Sequence, residues 1–405
     1  MGKSKYQLVL SLSSYLAGNL SSGIFTFVLS LHIFHITSSS FAFAMILLLE
    51  PVALLLSSPF VGAIVDRNKR KSVVLLAQST SVGVVLLAIV LFELVKATLW
   101  QVFMASALVF FLTVCDNFQK VAYRSATVNL VDREDHERLI VGEQLVSALM
   151  MLATPILGGM LYPILSLTQA MLVEMLGEVL VIVLLAKLSF TAFGKEFIPD
   201  VEAKNWHSFS KGLKYISQDQ TLMALLFFGV LANLVLAAVI IGEPVVLLQQ
   251  RHISTQVYGW IEACLAIGMI VGSVLVGVFR IKGDKRSYTA KVGMLITGIF
   301  LFLAMGSFVQ QKLWIGIVFA LSLCFLGCAI CLANIPYTLH MRTKIDVQKQ
   351  GRINATAGAL ISLASPIGLA VFGILFNFLS AETIFFCAGL VMLIVSLKLF
   401  RESKN

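Results

Sequence analysis

Twelve apolar runs, each long enough to cross a lipid bilayer, leave a chain of 405 residues few folds to choose from. They fall near residues 7–34, 41–65, 72–95, 99–123, 139–165 and 168–190, and then near 222–248, 257–279, 292–309, 313–340, 353–379 and 381–399. A hydrocarbon core of ~30 Å takes about 20 helical residues to span. A bilayer supplies no hydrogen-bonding partner for a bare backbone, so each run is expected to be a helix. Composition agrees: 59% of residues are hydrophobic and only 13% charged, where a soluble chain carries about a quarter. The fold expected is an all-α polytopic membrane protein with twelve transmembrane helices in two six-helix bundles. The bundles are assigned to residues 1–192 and 221–405, with a cytoplasmic linker over 193–220.

The basic residues orient these helices. With both termini in the cytoplasm, all but Lys96, Arg251 and Lys312 of the 30 Lys and Arg fall on cytoplasmic segments or helix ends. An error in the helix count would scramble that asymmetry. The net charge of +9 therefore reports topology and not a nucleic-acid partner. No small-residue cleavage site follows the first run at signal-peptide distance, so that run is expected to stay as a helix. The six cysteines lie inside apolar runs, with no extracellular pair to bridge. Cys324, Cys328 and Cys331 share one helical face and read as small packing residues, so no metal site is expected.

The two halves repeat. Leu8 to Asn19 matches Leu222 to Asn233 at an offset of 214 residues. Thr154-Pro155-Ile156 matches Ser365-Pro366-Ile367 at an offset of 211, and Arg138 and Lys349 share that offset. Related bundles of this kind place a binding cavity near the bilayer midplane.

Several motifs have a plain physical reading. The decamer 62–71, GAIVDRNKRK, ends the second run. Gly62 would let a neighbouring helix approach closely. Asp66 would suit a helix amino terminus, and Arg67, Arg70 and Lys71 would pair with carboxylates or anionic headgroups. Asp116 is spaced i, i+4 from Lys120 and is also the candidate partner of Arg70. Pro155 removes one helical hydrogen bond, and Gly158 and Gly159 leave little bulk, so a kinked, closely packed fifth helix is expected.

These motifs resemble the major facilitator superfamily of transporters. The decamer follows the G-x-x-x-D-R-x-x-R-K pattern of the loop between helices two and three, with Lys69 where that pattern carries Gly. Within the superfamily, the chain resembles the macrolide-efflux branch of drug:proton antiporters over nearly its whole length. The resemblance rests also on KGLKYI at 211–216, on Gly351-Arg352 leading to Ser365-Pro366-Ile367-Gly368, and on Thr154-Pro155-Ile156-Leu157-Gly158-Gly159. The last is close to the G-P-x-x-G-G signature of antiporters, with Thr154 in place of its first Gly. Many drug:proton antiporters keep an arginine deep in helix four; here Leu112 and Asp116 occupy that region, and Lys120 and Arg124 lie at the helix end. The resemblance implies proton-coupled efflux of amphiphilic small molecules by alternating access, by a monomer in the plasma membrane.

The acids within the apolar runs carry the functional expectation. Glu50, Glu174, Glu178, Glu243 and Glu262 have no Lys or Arg at their depth, and a charge at the bilayer centre costs ~2.5–3.5 kcal/mol. They must face a watery cavity, share protons or stay neutral. A carboxyl that takes either a proton or a cationic cargo, but not both, is the simplest antiport device. Glu174 falls where the resembled family also tends to carry an acid. Asn19 and Asn233 are candidates for cargo contacts or interhelical hydrogen bonds.

No phosphate-cradling loop and no nucleophile–base set is present, so an enzyme, ATP and any cofactor are not expected. Two other readings stay open. One keeps the fold but moves lipids or takes up nutrients; GKEFIPD at 194–200 replaces the P-E-S-P-R-like sequence of sugar porters and counts against sugars. The other is a non-transporting membrane partner or immunity protein.

Overall fold

The computed structural model describes residues 2–95, 97–193, 213–278 and 284–403. Twelve described helices are long and apolar enough to cross a membrane. They are α1 (Lys3–Thr37), α2 (Ser40–Arg67), α3 (Arg70–Leu94), α4 (Thr98–Leu130), α5 (His136–Leu161) and α6 (Leu167–Lys187). Then come α7 (Gln220–Pro244), α8 (Thr255–Val278), α9 (Lys285–Ser307), α10 (Lys312–Lys344), α11 (Val347–Leu375) and α12 (Ala381–Glu402). The count matches the apolar runs; the ends do not. Helix α4 runs on to Leu130, and α9 begins at Lys285, seven residues before its apolar run. The helical backbone continues through polar residues at the bilayer edge, where water can meet side chains. Most of the 193–220 linker, and Lys211 and Gly212 of KGLKYI, lie outside the described residues, as does the side chain of Arg352.

Two compact units divide the chain. One takes Met1–Ser38 and Leu49–Glu202, the other Ser39–Leu48 and Ala203–Asn405. In the first, α1 packs against α4, α5 and α6, and α3 against α4 and α6. In the second, α7 packs against α10, α11 and α12, and α9 against α10 and α12. The packing of α1 and α3 thus recurs around the equivalent helices α7 and α9, in keeping with the internal repeat. The first turns of α2 group with the second unit and not with their own helix. There Ser40 donates to the Gly373 carbonyl at 3.1 Å, and Ala44 fills the space that a side chain on Gly373 would need.

Lipid tails are as apolar as leucine, so packing and polar contacts must hold these helices together. Small residues make close crossings. A Cβ on Gly23 would strike Thr154, one on Gly158 would strike Phe27, and one on Gly142 would strike Leu12, so α1 and α5 lie in contact along their length. In the second unit Gly268 and Gly272 of α8 meet the backbone of Cys324 and Cys328 in α10. The cysteine face is a packing face, and Cys331 adds a thiol hydrogen bond to the Met269 carbonyl at 3.3 Å. Phe300, Phe319 and Phe376 gather around the buried Phe385 ring.

Polar groups finish the helix ends. Asp219 caps α7 by accepting from the Thr221 and Leu222 amides at 3.0 and 2.9 Å, and it accepts from His340 of α10 at 2.7 Å. Burial pushes the Asp219 carboxyl up, but the Leu222 amide and the His340 ring outweigh it and hold the group below the ordinary Asp range. Two of the basic residues that broke the charge asymmetry have structural partners. Arg251 donates to the Ser307 carbonyl at the end of α9 at 2.7 Å, and Lys312 to the His252 carbonyl at 2.9 Å. His252 takes a left-handed φ of 50° in that turn.

Candidate functional site

The acids sort into one group in each unit. In the first unit, Glu174 and Glu178 stand one turn apart on α6, 1% and 4% exposed, with their carboxyl groups against each other and Ser21 of α1 beside Glu174. Gly177, between them in sequence, makes room: a Cβ there would fall inside the Ser21 side chain. One buried oxygen of each carboxyl has no hydrogen-bond partner. Asp116 of α4 lies within electrostatic reach of both, and of Glu50. Glu50 itself is exposed, so it belongs to this group by its field and not by burial.

Asp116 forms the expected pair with Lys120, one turn along α4, at 3.7 Å. A pairing of Asp116 with Arg70 is not among the described ion pairs. The neighbouring carboxyl groups act on Asp116 by repulsion, against which Lys120 is the attractive partner. Arg70 is buried where α3 begins.

The loop at 62–71 departs from expectation at Gly62. A Cβ added to Gly62 would meet nothing within 4 Å, so among the described residues no helix makes the close approach expected there. Lys71 makes main-chain contacts. Its amine donates to the Ala186 and Leu188 carbonyls at 2.7 and 2.8 Å, at the carboxy-terminal end of α6. Those carbonyls have no intrahelical partner and sit at the negative pole of the helix, so a lysine fits there. The loop thereby fastens α3 to the helix that carries Glu174 and Glu178. Asp66 is half-buried, and Arg67 is exposed at the end of α2.

Helix α5 runs unbroken across Pro155, which is buried with Gly158 and Gly159. The close packing expected of this motif is made against Phe27 and Gly23 of α1. The motif therefore positions the helix that also bears Ser21.

In the second unit, Glu243 of α7 is buried and lies within electrostatic reach of Glu262 of α8, whose carboxyl accepts the Tyr258 hydroxyl. Glu243 precedes Pro244, and the backbone then widens into a π-helical turn over Val245–Gln250. Proline has no amide to continue the α-helical ladder, and such wide turns concentrate at functional sites. One oxygen of Glu243 and one of Glu262 are buried without a partner.

Asn19 and Asn233 do the same thing at equivalent positions. Each donates its side-chain amide to the carbonyl one turn back in its own helix, Asn19 to Tyr15 at 2.7 Å and Asn233 to Gly229 at 2.9 Å. Each amide keeps a second N–H and its oxygen for a further partner. Asn233 lines a largely apolar cavity of about 110 Å³ with Asn334 and Tyr337.

The sequence reading passed over Glu143. It lies two turns inside α5, half-buried, against Tyr123 of α4. The signal was available: an acid four residues past the start of an apolar run, on a helix that packs along α1.

Comparison with known proteins agrees with this architecture. The family model described as Major Facilitator Superfamily matches residues 10–243 and again 225–405. Macrolide efflux protein A of Streptococcus pyogenes is 23% identical over 386 residues, covering 92% of this chain and 91% of that protein. Macrolide efflux protein A of Enterococcus faecalis is 22% identical over 313 residues, covering 77% of this chain and 94% of that protein. Among solved structures, a bacterial homologue of the iron transporter ferroportin superposes with a TM-score of 0.74 at 15% identity, over 97% of this chain and 98% of that one. A D-xylose–proton symporter superposes with a TM-score of 0.67 at 14% identity, over 98% of this chain and 96% of that one. The twelve spanning helices, the doubled neighbour pattern and a family match over nearly the whole chain agree: this is a multi-pass membrane transporter and not an enzyme, and it belongs to the Major Facilitator Superfamily.

Proposed function

We propose that this transporter exports amphiphilic, cationic small molecules in exchange for protons, by alternating access. The observation that carries the reading is the Glu174–Glu178 pair. Two carboxyl groups in buried contact, with no base beside them among the described residues, are stable together when they share a proton. A cation arriving in that field can replace the proton, and a proton arriving can release the cation. That exchange is antiport in its simplest form. Glu243 and Glu262 offer the same chemistry in the second unit. The outward direction follows the two relatives described as macrolide efflux proteins, and amphiphiles of that size class are the cargo expected. The chain works as a monomer in the plasma membrane, with both termini in the cytoplasm.

The test is cargo-driven proton movement. Purified protein is placed in vesicles holding a pH-sensitive dye, with no imposed gradient, and a cationic amphiphile such as ethidium is added to one side. Proton flux opposite to the cargo supports the reading. Cargo movement with no pH change contradicts it.

A further inference from the structure

The two halves are not copies at every position. By the repeat offset of 214, Gly229 of α7 stands where α1 carries Tyr15. Asn233 donates to the Gly229 carbonyl as Asn19 does to that of Tyr15. The helical turn is the same, but the bulk of a tyrosine is gone. The apolar cavity of about 110 Å³ lies against Gly229, with walls from α7, α9, α10 and α11. Phe228 and Phe300, 2% and 1% exposed, are fixed in those walls. No charged side chain lines the cavity among the described residues.

Volume and lining narrow the occupant. Drug-sized ligands fill about 300–1,000 Å³, whereas an apolar cavity of about 150 Å³ takes one benzene. The space here therefore suits one ring and not a whole amphiphile. Its polar groups are neutral. Asn233 and Asn334 each give one N–H to a carbonyl of their own helix, at 2.9 and 3.0 Å. Each keeps a second N–H and an oxygen. Tyr337, one turn along α10 from Asn334, is tied to Asn354, to which its hydroxyl donates at 2.8 Å. A lipid tail would leave both amides unanswered, and water would gain nothing from the phenyl walls. A ring that bears an uncharged hydrogen-bonding group answers both.

We propose that this cavity is the subsite for an uncharged ring of the cargo, and that Asn233 and Asn334 hydrogen-bond a carbonyl or hydroxyl on that ring. This rests on the reading of the chain as an exporter of cationic amphiphiles and concerns the other end of the same cargo. It is independent of which acid carries the proton. The chain then selects among equally charged amphiphiles by the ring they carry.

The probes are three alkylammonium ions of one chain length. One ends in a 4-acetylphenyl ring. One ends in a 4-isopropenylphenyl ring, which has the same shape without the carbonyl. The last has no ring. Each is titrated by calorimetry into the full chain in detergent, with no gradient. Wild type should bind the acetyl probe about three- to tenfold more tightly than the isopropenyl probe, as one hydrogen bond requires. Asn233→Leu should remove that preference and leave affinity for the ringless probe within about twofold. Asn334→Leu, at an exposed position, should do the same and keeps the test decisive if Asn233→Leu does not fold, which a thermal melt reports. Gly229→Ala adds a methyl that meets the Ile361 side chain at an ordinary 3.5 Å. It should weaken both ring probes a few-fold and spare the ringless one. Equal affinity of wild type for the two ring probes overturns the proposal. So does a Gly229→Ala variant that binds all three as wild type does, the result expected of a resident lipid tail or an unused void. Ring preference without proton flux would remove only the antiport reading, and proton flux without ring preference would remove only this one.

Discussion

Glu174 and Glu178 meet carboxyl to carboxyl on successive turns of α6, in a pocket that Gly177 opens and Ser21 lines. Nothing in ordinary helix packing needs that arrangement. Two buried acids without a base weaken a membrane helix bundle unless protons or a cation neutralise them. The structure spends a glycine on holding them, and it fastens the far end of α6 with Lys71.

The crossing of α8 and α10 depends on glycine. Gly268 faces the Cys324 backbone with no room for a Cβ, while Gly298 on α9 has open space around it. Gly268→Val should destabilise the protein by about 1–3 kcal/mol, through forced separation of the helices. Gly298→Ala should match or exceed wild type, because alanine is the better helix former. Melting temperatures in detergent check both; an unchanged Gly268→Val would mean the two helices are not in contact.

The Asp219–His340 contact has a pH signature. The folded-state pKa of Asp219 is depressed, so its contribution to stability is present above the ordinary Asp value and is lost as pH falls through the depressed one. Below about pH 5 the melting temperature of wild type should therefore fall more steeply than that of Asp219→Asn. Asp219→Ala should also cost about 0.5–2 kcal/mol as a lost helix cap. Parallel pH profiles for wild type and Asp219→Asn would show that the contact does not form.

Much of this was legible in the chain, for a reason. A bilayer demands about 20 apolar residues per span, so the number of helices is written in hydropathy. Their ends are not, because α4 and α9 continue into polar sequence where water takes over from lipid. Glu174 and Glu178 were visible because no base shares their depth. Their four-residue spacing also puts them on one face of α6, one turn apart, but the Ser21 side chain beside them, more than 150 residues away in the chain, carried no such signal. Lys71 shows the same limit: its partners are main-chain carbonyls on α6, and carbonyls carry no sequence signal. Glu143 was missed because an acid near the start of an apolar run resembles a residue at the membrane edge. Only the start of α5 at His136 moves it two turns inside.

Orientation can be settled by labelling. With both termini in the cytoplasm, Ser39→Cys, between α1 and α2, should react with a membrane-impermeant maleimide in intact cells. Asn68→Cys, between α2 and α3, should react only after the membrane is opened. Labelling of Asn68→Cys alone in intact cells would invert the topology.

The central claim is that the α6 carboxyl pair links cargo to protons, and Glu178→Gln in proteoliposomes tests it most directly. Glutamine keeps the shape but can neither bind nor release a proton. With an imposed pH gradient, wild type should concentrate a cationic amphiphile, while Glu178→Gln should abolish that uphill movement and retain downhill exchange of the same cargo. The Glu50→Gln variant, altering the exposed acid of the same group, serves as the companion measurement and should behave alike. Full uphill transport by both variants would contradict the carboxylate mechanism.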